Sequence, residues 1–170
     1  MSTGGGCRSI RARLRWLAAA GASLLWVGGC SSMPRPLAGL DRALDAAGTS
    51  HEPMLAGRYL ALIGERGGRD QVQLIDLERN LPVPLPGLNR PDAQPVSVGV
   101  DGSGERLAVV RRLEGRTELV LYRRSLQSLQ PLPMDPPGVP RRLSLQADGR
   151  QLAVEVSRGG LWQLDLIRLP

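Results

Sequence analysis

The sequence predicts an all-β protein of about three four-stranded antiparallel units, and a repeated pattern leads to that class. Gly57-Arg58-Tyr59-Leu60-Ala61-Leu62, Gly104-Glu105-Arg106-Leu107-Ala108-Val109 and Gly149-Arg150-Gln151-Leu152-Ala153-Val154 are three copies of one phrase, spaced 47 and 45 residues apart. A fixed period of this length marks architectures in which one supersecondary unit stacks on the next. Each copy is followed by a glycine turn (Gly67-Gly68, Gly115, Gly159-Gly160) and then by a further apolar stretch, Val72 to Leu77, Leu119 to Tyr122 and Leu161 to Ile167. The paired glycines suit hairpin turns that need positive φ.

Taken in order, each unit reads as four strands. The first is marked by Pro95 and Pro140, each nine residues before the repeat glycine, with Val98 and Val100 or Leu143 and Leu145 alternating behind them. In the first unit only a stub of this strand is expected, Met54 to Ala56. The second strand is apolar on both faces, as in Leu60-Ala61-Leu62-Ile63 and Leu107-Ala108-Val109-Val110. A sheet with one wet face would not tolerate this, so something must pack on each side. Blades stacked as in a propeller meet that demand. The third strand is the second apolar stretch, and the fourth is weaker and proline-rich (Asn80 to Leu85, Leu126 to Leu132). Proline there suits an outer edge, where a missing N–H harms no ladder. The third unit reaches Pro170 with little fourth strand.

Before the repeats lie two other segments. Residues 1–29 carry Arg8, Arg11, Arg13 and Arg15 and no acid, followed by fourteen uncharged residues from Trp16 to Gly29. That is the layout of a secretory signal peptide, and it is shorter than the roughly 20 apolar residues a spanning helix needs. Val27-Gly28-Gly29-Cys30 resembles a lipobox, which implies cleavage between Gly29 and Cys30 and a diacylglyceryl-modified Cys30 with palmitate among its acyl chains. Ser31 after the cysteine implies transfer to the outer membrane. Residues 30–53 read as a tether with one short helix, Leu37, Leu40, Leu44 and Ala47 sharing a face that must dock to be stable. The repeat domain is expected over 54–170.

Charge excludes one function class. The net charge is +6, but four of the 22 arginines precede Cys30, leaving 18 against 16 acidic residues in the mature chain. The basic pI of about 10.8 therefore reports the signal segment and does not indicate a nucleic-acid partner. Cys7 and Cys30 are the only cysteines, so the mature chain has no internal disulfide and relies on packing. The parts of an active site are also scarce. His51, the one histidine, falls in the tether, no Cys or His cluster has metal spacing, and no glycine loop cradles a phosphate. Asp76 and Asp165 read as equivalent structural positions of the repeat. The expectation is a protein that is no enzyme and carries no cofactor.

Two groups of residues invite a binding role. Arg111-Arg112 closes one second strand and Arg141-Arg142 opens the next first strand, so an antiparallel meander sets both pairs on one rim, where they could hold lipid head groups or an acidic surface. Arg123-Arg124 falls on the opposite rim. Tyr122 and Trp162, on third strands, are core, blade-contact or interface aromatics.

Asp148-Gly149-Arg150-Gln151-Leu152-Ala153-Val154, and with a two-residue offset Asp101-Gly102-Ser103-Gly104, resemble the propeller repeats of the TolB-like family of the periplasmic Tol-Pal system. The resemblance covers about Met54 to Pro170 and implies a periplasmic scaffold that binds other envelope proteins. The family's aromatic residue before the turn and its N-terminal domain are absent from this sequence. About three blades fall short of the 4 to 8 of a closed ring, and two chains could complete a six-bladed ring as a homodimer. A self-assembling structural envelope protein is the alternative, with a small-ligand carrier, which would need a deep pocket, behind it.

Overall fold

The computed structural model describes residues 44, 45 and 48–170; the signal segment, Gly29 and Cys30 lie outside the described residues. Among the described residues eleven strands form three antiparallel sheets, each a meander in chain order. The first blade is β1 (Ser50–Ala56), β2 (Tyr59–Glu65), β3 (Asp70–Asp76) and β4 (Leu81–Val83). The second is β5 (Ala93–Val100), β6 (Arg106–Leu113), β7 (Arg116–Arg123) and β8 (Ser128–Pro131). The third is β9 (Val139–Leu145), β10 (Gln151–Arg158) and β11 (Leu161–Arg168), with no fourth strand among the described residues. These are the three propeller-type blades that the repeat predicts.

One element differs from the expectation. β1 is a full strand that begins at Ser50, not a stub from Met54, because His51 and Ser50 continue the ladder against Ile63 and Gly64 past an irregularity between His51 and Met54. The periodic apolar signal misses this half because its side chains are polar and exposed. Short β4 and β8 carry Pro82 and Pro131 on the outer edges, as the prolines predict. Where β4 stops short, the Asn89 side-chain amide completes the edge of β3, accepting from Val72 N–H at 2.8 Å and donating to its carbonyl at 2.9 Å.

The two-faced apolar strand is explained by stacking. Leu107 and Val109 of β6 pack toward the first blade with Ala61, Ile63 and Leu74, while Ala108 and Val110 pack toward the third with Leu143, Leu145 and Leu152. Burial of each such side chain contributes about 1.5–3 kcal/mol. β1, β5 and β9 run beside one another on the inner side of the stack, joined by a polar chain. Ser97 Oγ donates to Glu52 Oε2 at 3.1 Å and accepts from Leu143 N–H at 3.3 Å. At the opposite rim the blade turns touch: Gly102 N–H donates to the Ala147 carbonyl at 2.7 Å. Gly57, at φ +55°, lies so close to Gly102 that a Cβ on it would stand 2.6 Å from the Gly102 carbonyl oxygen.

The outer side of the first blade has its own cover. Leu44 and Asp45 are helical, and Leu44 rests with Leu60 and Leu77 on buried Leu62 and Ile75. Of the apolar face read for the short amphipathic segment, Leu44 is the described residue, and it docks on the first blade.

Candidate binding surface

The structure treats the predicted site residues unequally. Arg111 and Arg112 end β6 and Arg141 and Arg142 lie in the first half of β9, so both pairs occupy the same end of their blades. They do not form one free basic patch. Arg111 is buried on the side facing the first blade and pairs with Glu118 across the β6–β7 ladder at 2.7 Å. Arg112 reaches Gln94 at 3.3 Å, Arg142 reaches Glu52 at 3.5 Å, and Arg141 lies over the Trp162 ring, 5.1 Å from its centroid.

Tyr122 leaves the set of interface aromatics. Its ring is fully buried between the first two blades and its hydroxyl donates to the Pro86 carbonyl at 2.8 Å. Burial pushes its phenol pKa up. His51 stands exposed on β1. Asp76 and Asp165 are not equivalent positions: the ladders place Asp76 opposite Tyr59 at a strand end, whereas Asp165 sits mid-strand opposite Val154. Asp76 accepts from the Glu78 and Arg79 amides and so closes a turn.

Asp165 does different work. Arg158 Nη1 donates to its Oδ1 at 2.9 Å, and Arg158 also reaches the Pro136 carbonyl at 2.9 Å from Nη2, tying the end of the third blade together. The hydrogen bond from Arg158 holds the Asp165 carboxyl below the usual carboxylate range, against a smaller opposing effect of burial. A lowered folded pKa means that the unfolded chain binds more protons in acid, so this pair stabilises above the ordinary aspartate pKa of about 3.9 and stops doing so as pH falls through the lower folded value. Asp165→Asn is therefore expected to be less stable than the wild type at pH 7, with the gap closing below about pH 4 in urea titrations.

Trp162 has a different neighbourhood from Tyr122. The ladders align Leu152 with Ile167 as they align Leu107 with Tyr122. By that register Thr117, Leu119 and Leu121 of the second blade correspond to Trp162, Leu164 and Leu166 of the third. Leu119 and Leu121 are 2% and 0% exposed under the third blade, whereas Trp162, Leu164 and Leu166 are 51%, 69% and 76% exposed. Val139 and Ala153 share this face, together with Arg142, Ser144, Glu155 and Ser157. The face is built for stacking and has nothing on it among the described residues. The sequence singles out Trp162 but leaves Leu164 and Leu166 undistinguished within the apolar stretch from Leu161 to Ile167, since a repeat pattern does not say which faces are covered.

Three stacked, twisted meanders with inner first strands and proline-bearing outer edges make this an arc of β-propeller blades. Among solved structures it is similar to TolB from Acinetobacter baumannii, with a TM-score of 0.56 and 14% identity over 72% of this chain and 32% of that one. A structure assigned to TolB from Agrobacterium tumefaciens gives 0.57 and 10% identity over 71% of this chain and 46% of that one. The β-propeller domain of the Trilobed protease from Pyrococcus furiosus gives 0.51 and 14% over 70% and 38%. The chain thus spans between a third and a half of the structures it resembles. No family model matches it, and no curated protein does.

Proposed function

We propose that this chain is a lipid-anchored, non-catalytic docking module of the cell envelope, held to the outer membrane by acyl chains on Cys30 and facing the periplasm. The observation that carries the docking role is the apolar outer face of the third blade, with Leu164 and Leu166 exposed at positions equivalent to buried Leu119 and Leu121 in the second and Trp162 exposed beside them. Contiguous apolar surface of this kind marks interaction sites. The fold shared with TolB structures supports a protein-interaction module.

Several of the carboxylates are employed structurally. Asp76 and Asp101 hold turns, and Glu118 and Asp165 pair with arginines. Between Cys30 and the docked Leu44 lie 13 residues, which span at most about 45–50 Å when extended. The blades therefore work close to the membrane surface.

Metabolic labelling of the full chain with a palmitate analogue tests the anchor. Label and membrane retention are expected in the wild type and in neither respect for Cys30→Ala; a labelled or membrane-bound Cys30→Ala would overturn the anchoring. A photoreactive residue at position 166 in intact cells tests the docking surface. Protein adducts that disappear with Leu164→Glu support it, and their absence in the otherwise wild-type chain rejects it.

A further inference from the structure

The outer edges of the first two blades share a register and differ at one place. Leu74 lies opposite Val83 as Leu121 lies opposite Gln130, and both outer strands stop before the first half of the third strand is covered. In that uncovered half Val72 and Leu119 correspond, opposite Ile63 and Val110 on the second strands. Backbone groups along an antiparallel strand turn alternately to one side and the other. The N–H and carbonyl of Val72 and of Leu119 therefore both turn toward the outer edge. In the first blade the Asn89 carboxamide meets both groups of Val72, accepting at 2.8 Å and donating at 2.9 Å. In the second, the Leu119 carbonyl accepts from Leu132 N–H at 2.8 Å, but Leu119 N–H has no acceptor among the described residues. Leu119 is buried, and a buried backbone N–H without a partner is rare. Thr117, two residues away on the same edge, has neither backbone group met there.

The cause lies in the two blade linkers. Asn89 stands six residues before Pro95, and Met134 stands six residues before Pro140, the prolines that mark the first strands. Met134 thus holds the place of Asn89 with a thioether, which donates no hydrogen bond and accepts only weakly. Pro133, Pro136 and Pro137 of the same linker have no N–H to offer. Between the strand edge and this linker a groove of about 290 Å³ remains, lined by Thr117, Leu119, Leu132, Met134, Pro137 and Pro140. Asn89 in the first blade displays the chemistry that fits such an edge: an amide, with acceptor and donor side by side. The open groups at Thr117 and Leu119 are about 7 Å apart along the strand, which is the two-residue repeat of an extended backbone and more than one carboxamide spans.

We propose that this groove takes an extended peptide segment of a partner protein, whose backbone adds to the first half of β7 while its alternate side chains rest on Leu132, Met134 and the prolines. Strand addition of this kind draws affinity from main-chain hydrogen bonds and selectivity from the pockets beside them. The site lies between the second blade and its linker and is independent of the outer face of the third.

The test uses the full chain in intact bacterial cells, with photoreactive p-benzoylphenylalanine in place of Pro133, on the groove, or of Pro84, on the corresponding groove of the first blade. Protein adducts are expected from position 133 and not from position 84, where Asn89 already closes the edge. Met134→Asn supplies the missing amide from within the chain and should reduce the adducts at least tenfold, whereas Met134→Leu should keep them. A synthetic peptide of the crosslinked segment, added to the purified full chain, should slow hydrogen exchange of the Leu119 amide at least tenfold in the wild type and leave it unchanged in Met134→Asn. Absence of adducts from position 133, equal adducts from position 84, or adducts that survive Met134→Asn would each overturn the proposal. So would their loss in Met134→Leu as well, which assigns them to packing on the thioether, or a Leu119 amide that the peptide does not protect.

Discussion

Leu121→Ala is expected to cost about 3 kcal/mol of unfolding free energy, within the range of about 2–5 for large-to-small core changes, while Leu166→Ala costs less than about 0.5 at dilute protein. The two leucines hold corresponding positions on β7 and β11, one fully buried and the other 76% exposed. What separates them is the third blade, which packs Leu143, Leu145 and Leu152 against Leu121. Urea denaturation of the two variants side by side measures the contrast. Equal losses would mean that the third blade's outer face is covered within the chain itself, and the docking surface would not exist.

The second large effect belongs to the turns. Gly57→Ala is expected to destabilise by about 2–4 kcal/mol, and Gly67→Ala by only about 1. Both glycines have φ near +60°, so both alanines meet the left-handed backbone penalty. Only Gly57 also meets a wall, with a Cβ 2.6 Å from the Gly102 carbonyl oxygen; around Gly67 there is nothing within 4 Å. A backbone oxygen cannot swing aside as a side chain can, so the first two blades must separate at that rim. Thermal melts of the two variants check this, and similar shifts would show that the blade turns are not in contact. The pair also explains why the repeat keeps glycine at these places: one is demanded by φ alone, the other by φ and by the neighbouring blade.

Much of this architecture is legible in the sequence because stacking imposes a local signature. Leu107-Ala108-Val109-Val110 is apolar on both faces only because both faces are buried, and the period of 47 and 45 residues counts the blades directly. The prolines of β4 and β8 declare the outer edges by chemistry that any central strand would refuse. Polar β1, with Ser50, His51 and Glu52, gives no such sign; its place is set by pairing with β2 and by the bond from Ser97 to Glu52.

The binding surface was legible only in part, and the arginines show why. Arg111, Arg112, Arg141 and Arg142 are indistinguishable as residue types and share one end of the blades, yet Arg111 is buried against Glu118 and Arg141 lies over Trp162. Alternation along a strand sends neighbours to opposite faces, and the occupant of each face belongs to another part of the chain. The same holds for Tyr122 and Trp162, one sealed between blades and the other on an open end.

By itself the sequence determined the number of blades, the order of strands within each, the outer edges, and the expectation of export and lipidation at Cys30. These are properties of local pattern and of short motifs. Only the tertiary structure decided which apolar faces are covered, that Leu44 closes one end of the stack, and that Trp162, Leu164 and Leu166 stand open at the other. The physical reason is that a stacking face is apolar whether or not a neighbour lies on it, so its exposure depends on what is adjacent in space.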